Sequence, residues 1–285
     1  MPTHNSICTD HSAPHRRARI QTVRAFVTLS LALGSLNLVA RGFSPFAGPQ
    51  PIAALIQTDP WATVIAREVP RIVVYQDGSV IFLKHSKTGT NYHSAKLSPP
   101  QLAEFETHLK PVTDVKRWLP LYNLEPIHTD QPEISFYVRT AKRQVVTRVY
   151  GLTQTTPTEG APTNKVPQPL LVLHKYLDSL DYPDSKPWTQ AHVEVLLWPY
   201  QYKSNNAIKW PPAWPALDSD HALRRGSTYS IFFAGDALAD LENFERIRKD
   251  SAGIEIGGKK WDMAFRRVLP SQPVWLNAFQ AIKPK

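Results

Sequence analysis

The chain has 285 residues, 42% of them apolar, with eight tryptophans, 26 prolines against 12 glycines, and a formal charge of +9. That length buries one sizeable core or two small ones, and the composition excludes a disordered or fibrous chain while predicting long, proline-pinned loops. The charge is no argument for nucleic acid, because the first 41 residues hold five arginines and one acid, leaving only +5, scattered, on residues 42–285 and no basic groove interleaved with stacking aromatics.

Arg16, Arg17, Arg19 and Arg24 precede an uncharged run, Ala25 to Ala40, that ends at Arg41. A basic flank followed by a short apolar stretch predicts an export signal over residues 1–41. Thr28, Ser30, Ser35 and Asn37 dilute the run, which is short for a membrane span. Cleavage after Ala40 or Ala47 would put Leu38 or Pro45 where a small residue is preferred, so an uncleaved signal anchor stands beside a cleaved signal. Membrane contact is expected only through residues 25–40, and the body is expected in the periplasm or outside the cell. Cys8, the only cysteine, precedes the run and cannot be a lipidated residue following it. The body therefore has no intramolecular disulfide to use and must hold together by packing.

A Pro/Gly-rich lead-in is read over residues 42–69. From Arg71 to Leu83 an Asp-Gly pair sits between two apolar runs, which predicts a hairpin. A two-residue Asp77-Gly78 loop would set Tyr75 across from Val80 and Val74 across from Ile81, both faces covered. Ser98, Pro99 and Gln101 read as a capping box with proline in the first turn, opening a helix whose Leu102, Phe105 and Leu109 share one face. After a connection over Trp118–Pro126, Ile134–Val138 and Val145–Tyr150 read as two more strands.

Residues 153–169 form a Thr/Pro-rich linker. It divides a first α+β half, residues 70–152, from a second, residues 170–285. Leu170, Leu173 and Leu177 mark a helix, and His174 on that face reads as a core histidine. Val193–Trp198 and Tyr229–Phe233 are expected strands. Asp236 is placed as the cap of a helix carrying Leu238, Leu241, Phe244 and Ile247. In the final hairpin a Gly257-Gly258 loop would oppose Ile254 to Trp261 and Glu255 to Lys260. The expected class is α+β: antiparallel sheets with about three flanking helices, in two similar ββαββ-like halves.

No motif carries a reaction. Gly253 to Lys259 fits the spacing of a phosphate loop, but Lys260 stands where serine or threonine is needed, and a strand follows instead of a helix. Lys87-Thr88-Gly89 resembles one box of the penicillin-recognising serine enzymes, but no serine is followed three residues later by lysine. No serine lies in G-x-S-x-G and no histidine in H-E-x-x-H. A zinc site drawn from His85, His93 and His128 has no supporting spacing. No catalytic residue, cofactor or metal is therefore assigned.

Two stretches carry ligand readings. In His128-Thr129-Asp130-Gln131-Pro132, Asp130 either caps a turn or accepts a hydrogen bond from a ligand. Trp198, Tyr200, Trp210 and Trp214 lie in a proline-rich region, where aromatics either cover a core edge or stack on a sugar or peptide, with Tyr202 and Lys203 at the rim.

The succession Y-x-D-G-x-V (Tyr75 to Val80), L-S-x-x-x-L (Leu97 to Leu102), T-D-x-P (Thr129 to Pro132) and V-x-x-V-Y-G (Val146 to Gly151) resembles an uncharacterised domain of unknown function found in exported bacterial proteins. The resemblance covers about residues 70–180, and Leu197-Trp198-Pro199-Tyr200 is similar to the C-terminal part of longer hypothetical proteins of the same sort. It implies export, an α+β fold and a structural Asp77-Gly78, and it carries over no catalytic residue. The expected function is non-catalytic binding or scaffolding at the cell envelope, the partner being a polysaccharide or a protein and not nucleic acid. The alternative is an envelope enzyme, a hydrolase, pairing Asp130 with Glu133 or His128. Titratable side chains converging in one hollow would favour the enzyme; a flat, exposed aromatic patch would favour the binder.

Overall fold

The computed structural model describes residues 43–58, 68–86, 89–126, 129–152, 166–200, 207–248 and 252–282. The expected leader, His128 and most of the Thr/Pro-rich linker lie outside the described residues. Among the described residues no helix is long and apolar enough to cross a membrane.

Residues 52–56 (IAALI) are apolar without alternation, the pattern of a strand covered on both faces. They form β1 (Pro51–Thr58), inside the stretch read from sequence as a lead-in. Seven further strands join it: β2 (Glu68–Tyr75), β3 (Ser79–Ser86), β4 (Gly89–Lys96), β5 (Leu121–Asn123), β6 (Glu133–Arg139), β7 (Gln144–Tyr150) and the two-residue β8 (Lys186–Pro187). Their order is β5-β7-β6-β1-β2-β3-β4-β8. All pairs are antiparallel except β5 with β7, so the sheet is mixed rather than purely antiparallel. Its two faces follow the alternation of β1: Ala53 and Leu55 point one way, Ala54 and Ile56 the other.

The Ala53 face is covered by α1 (Pro99–Asp114) and α2 (Gln168–Ser179). Ser98 N donates to Gln101 Oε1 at 2.8 Å, the reciprocal bond of the expected capping box. Phe105 and Leu109 of α1 and Leu170, Leu173 and Leu177 of α2 pack on Leu55, Ile72, Val74 and Phe136.

The β2–β3 hairpin differs from the sequence reading by one residue: Val74 pairs with Val80 and Val73 with Ile81. The Asp77 carboxylate accepts the Ser79 amide at 3.0 Å, and Gly78, at φ +82°, returns its amide to Tyr75 O at 2.9 Å. A turn with glycine in the left-handed position adds one residue to the loop, which becomes Gln76-Asp77-Gly78. Tyr75 and Ile81 thereby share the Ala54 face.

The second sheet comprises β9 (His192–Pro199), β10 (Ala207–Lys209), β11 (Ala222–Arg225), β12 (Thr228–Ala234), β13 (Gly253–Ile256) and β14 (Lys259–Arg267), in the order β10-β13-β14-β9-β12-β11. β10 and β13 are parallel. Gly257 and Gly258 both have positive φ and close the expected two-residue loop, with Ile254 opposite Trp261 and Glu255 opposite Lys260. α3 (Leu238–Arg248) buries Leu241 and Phe244 against Val195, Leu197, Ile231 and Met263. Asp236 does not cap it. A single 3-10 turn, Gly235–Ala237, leads into the helix, and Asp236 lies inside that turn rather than before the helix.

A fourth helix, α4 (Gln272–Gln280), returns to the first sheet and seats Trp275 among Ile56, Val73, Tyr75 and Tyr137. α2, β8 and α4, all after residue 167, pack on or join the first sheet. Among the described residues the first sheet has eight strands and the second six.

Candidate functional site

Of the residues expected to bind a ligand, Trp210 and Trp214 meet, but within the core of the second sheet. Trp210 is buried, its ring edge-on to Trp214 at 4.9 Å and to Phe233 at 6.0 Å, and its Nε1–H donates to Pro215 O at 3.1 Å. Trp214 lies 4.9 Å from Phe244 and closes the same core. Both are corrected from a stacking surface to the lid of the second sheet, because the proline-rich loop must cover apolar residues that α3 leaves uncovered. Trp198, half-buried on β9, sits opposite Asp262. Tyr200, also half-buried, lies against Gly253, and Tyr202 and Lys203 fall outside the described residues. Asp130 is exposed at φ +63°, its carboxylate accepting the Thr129 hydroxyl at 3.1 Å. A left-handed aspartate with a local hydrogen bond is a turn residue.

A groove of about 860 Å³ forms instead at the hairpin end of the first sheet, between β3–β4 and the segment 181–188. β4 is the outermost long strand, and β8 covers it only at His93 and Ser94, so the edge beyond Ser94 opens into the groove. Trp188 forms one wall, held edge-on to Tyr92 at 5.8 Å and tied by its amide to Tyr92 O at 2.9 Å. Tyr182 packs on Phe82 at 5.3 Å, and burial, with the neighbouring Tyr176, pushes its phenol up to about 12. Ser79, Ser94 and Ser185 supply hydroxyls, Lys96 and Lys186 positive charge, and Asp181 and Asp184 negative charge.

Two pairs in or beside the groove invite a nucleophile reading. Ser79 Oγ lies 3.1 Å from Lys96 Nζ, but Lys96 also meets Asp77 Oδ2 at 2.9 Å, and Ser79 donates to that same oxygen. Burial raises the Asp77 carboxyl, yet the bonds from Lys96 and Ser79 outweigh it and hold it below the ordinary carboxylate range. Lys96 is thus held by the Asp77 carboxylate, and Ser79 donates to that carboxylate rather than to the lysine. Ser185 Oγ lies 3.4 Å from His93 Nδ1. A carboxylate on the other imidazole nitrogen, the group that would orient such a base, has no counterpart among the described hydrogen bonds.

Among the described residues no group of three histidine, cysteine, aspartate or glutamate side chains is placed to hold a metal ion. The arrangement suits recognition: a broad concave surface with aromatic walls and polar groups of both signs, at the upper end of the usual range of ligand sites. Sequence reasoning missed it because its walls come from positions about a hundred apart, and Trp188 carries no local signal. No protein-family model, no curated protein and no solved structure matches the chain.

Proposed function

We propose that the protein is an exported, non-catalytic binding protein of the cell envelope, and that the groove beside β4 is its ligand site. The observation that carries this reading is that Trp188, Tyr182 and the hydroxyl residues Ser79, Ser94 and Ser185 line one hollow whose lysines and aspartates balance. An aromatic face with a ring of hydroxyl and mixed-charge partners suits a polar, largely uncharged chain such as a polysaccharide. The basic flank and apolar run before Arg41 support export, with residues 25–40 as the contact with the membrane. The hydrolase alternative draws less support, since Asp130 is an exposed turn residue, Lys96 beside Ser79 is ion-paired with Asp77, and no described hydrogen bond sets a carboxylate on His93 beside Ser185.

The test is retention of the full-length protein on insoluble cell-wall and polysaccharide material. Trp188→Ala and Tyr182→Ala are expected to lower retention at least tenfold while leaving the fold intact. Trp210→Ala should lower stability by about 3–5 kcal/mol and, where folded, retain binding. Equal retention of the wild type and both groove variants, or none by any, removes the groove from the account.

A further inference from the structure

A second hollow, of about 400 Å³, lies at one end of the second sheet, lined there by Gly226 of the β11–β12 turn and Gly257 of the β13–β14 turn. Strand register fixes which side chains face it. Arg224 pairs with Tyr229, Tyr229 with Leu197, and Leu197 with Met263, so these four share one face of the sheet. Trp261 and Lys259 precede Met263 at alternate positions of β14 and lie on that face too. The rings of Tyr229 and Trp261 stand edge-on at 5.4 Å, and the Arg224 guanidinium lies 6.0 Å from the centre of the Tyr229 ring. Arg224, Tyr229, Trp261 and Lys259 all line the hollow, and Leu217 adds an apolar wall.

No aspartate or glutamate is among the residues that line it. Arg225, one position along, turns to the other face and meets Glu194 at 3.3 Å, and Arg248 and Arg266 likewise hold carboxylates. Arg224 and Lys259 are exposed and make no ion pair among the described residues. The Arg224 Nε–H goes to Gly226 O at 3.1 Å, which leaves the Nη donors for a ligand. Lys260 also lines the hollow, but it stands opposite Glu255 across the hairpin. Two accessible cations without a counter-charge in one concave place match a dianion, and a guanidinium's paired N–H donors fit the oxygens of a phosphate.

We infer that this hollow binds a soluble phosphate monoester whose ester group carries a ring. The phosphate, with its charge of about −1.5 to −2, meets Arg224 and Lys259, and the ring packs on Tyr229 and Leu217. A carboxylate would leave one cation unmet, and inorganic phosphate would leave the aromatic floor uncovered. The hollow belongs to the second sheet and is separate from the groove, so either site stands if the other fails.

Calorimetric titration of the full-length protein with phenyl phosphate, inorganic phosphate and phenol tests this. Phenyl phosphate should bind, and the other two, each lacking the ring or the charge, should bind at least tenfold more weakly. Arg224→Gln and Lys259→Gln should each weaken phenyl phosphate at least tenfold; both side chains are exposed, so either variant keeps the fold. Arg246→Gln, which removes an exposed charge outside the hollow, should leave the affinity unchanged. No binding of phenyl phosphate up to on the order of 10 mM overturns the proposal, as does equal binding of the three compounds or wild-type affinity in either hollow variant. Capture of the protein by phosphatidic acid vesicles without binding of phenyl phosphate would assign the two cations to a membrane surface and overturn the soluble ligand.

Discussion

His174 lies on the covered side of α2, its ring 5.9 Å from Phe136 and edge-on to it. Burial lowers its pKa below 6.5; Asp178 opposes that shift and Arg71 adds to it. Because the folded value is depressed, the unfolded chain takes up a proton at a pH where the folded one does not. The stability His174 contributes is therefore complete above about pH 6.5 and is lost as the pH falls from there toward the folded value. The thermal midpoint should drop between about pH 7.5 and about pH 5.5, and His174→Gln should flatten that drop; parallel profiles for the two proteins would place the proton uptake elsewhere. The assignment of His174 to the core was readable from its heptad neighbours Leu170, Leu173 and Leu177. Glu194 was not: it reads as a polar interruption of β9, yet it is fully buried, held by Arg266 at 2.7 Å and Arg225 at 3.3 Å. The two arginines come from other strands, and only the assembled sheet supplies them.

The hairpins show what local chemistry settles within an element and what it leaves to a neighbour. Gly257 and Gly258 close a two-residue loop in open space, and their registers follow from the glycine pair alone. At Asp77-Gly78 the equally strong signal gave a register wrong by one, because the Asp77 carboxylate folds back on Ser79 and Lys96 and the loop takes in Gln76. Gly78 also gives its carbonyl to the Leu97 amide at 2.8 Å, and a Cβ there would come within 2.7 Å of Leu97 O. Gly257→Ala should thus cost about 1 kcal/mol, the left-handed penalty by itself, whereas Gly78→Ala should cost roughly 2–3 kcal/mol, since a backbone oxygen has little room to give. Urea denaturation of the two variants checks this, and equal losses would mean that the Leu97 carbonyl yields.

Across the whole molecule, α4 joins what the chain order separates. It follows β14 of the second sheet directly and inserts Trp275, fully buried, into the first. The ion pair Arg266–Glu68 links the two sheets, while Arg266 also holds Glu194 within the second. Trp275→Ala should cost about 3–5 kcal/mol, and the loss should appear in one transition, with tryptophan fluorescence and far-ultraviolet circular dichroism coinciding. Two separated transitions would show that the sheets unfold independently.

The sequence by itself determined the α+β class, the capped α1, the covered face of α2, the strands β9 and β12 and the Gly257-Gly258 hairpin. Each rests on contacts among residues within about ten positions of one another, where periodicity, capping and turn chemistry act. Only the tertiary structure decided the central place of β1, the return of α4, the burial of Trp210 and both hollows. A short apolar run such as residues 52–56 fits a loop edge or a core strand equally well until its partners are known. A hollow is the space left between elements distant in the chain, so no local pattern encodes Trp188 and Ser79 as lining of one groove.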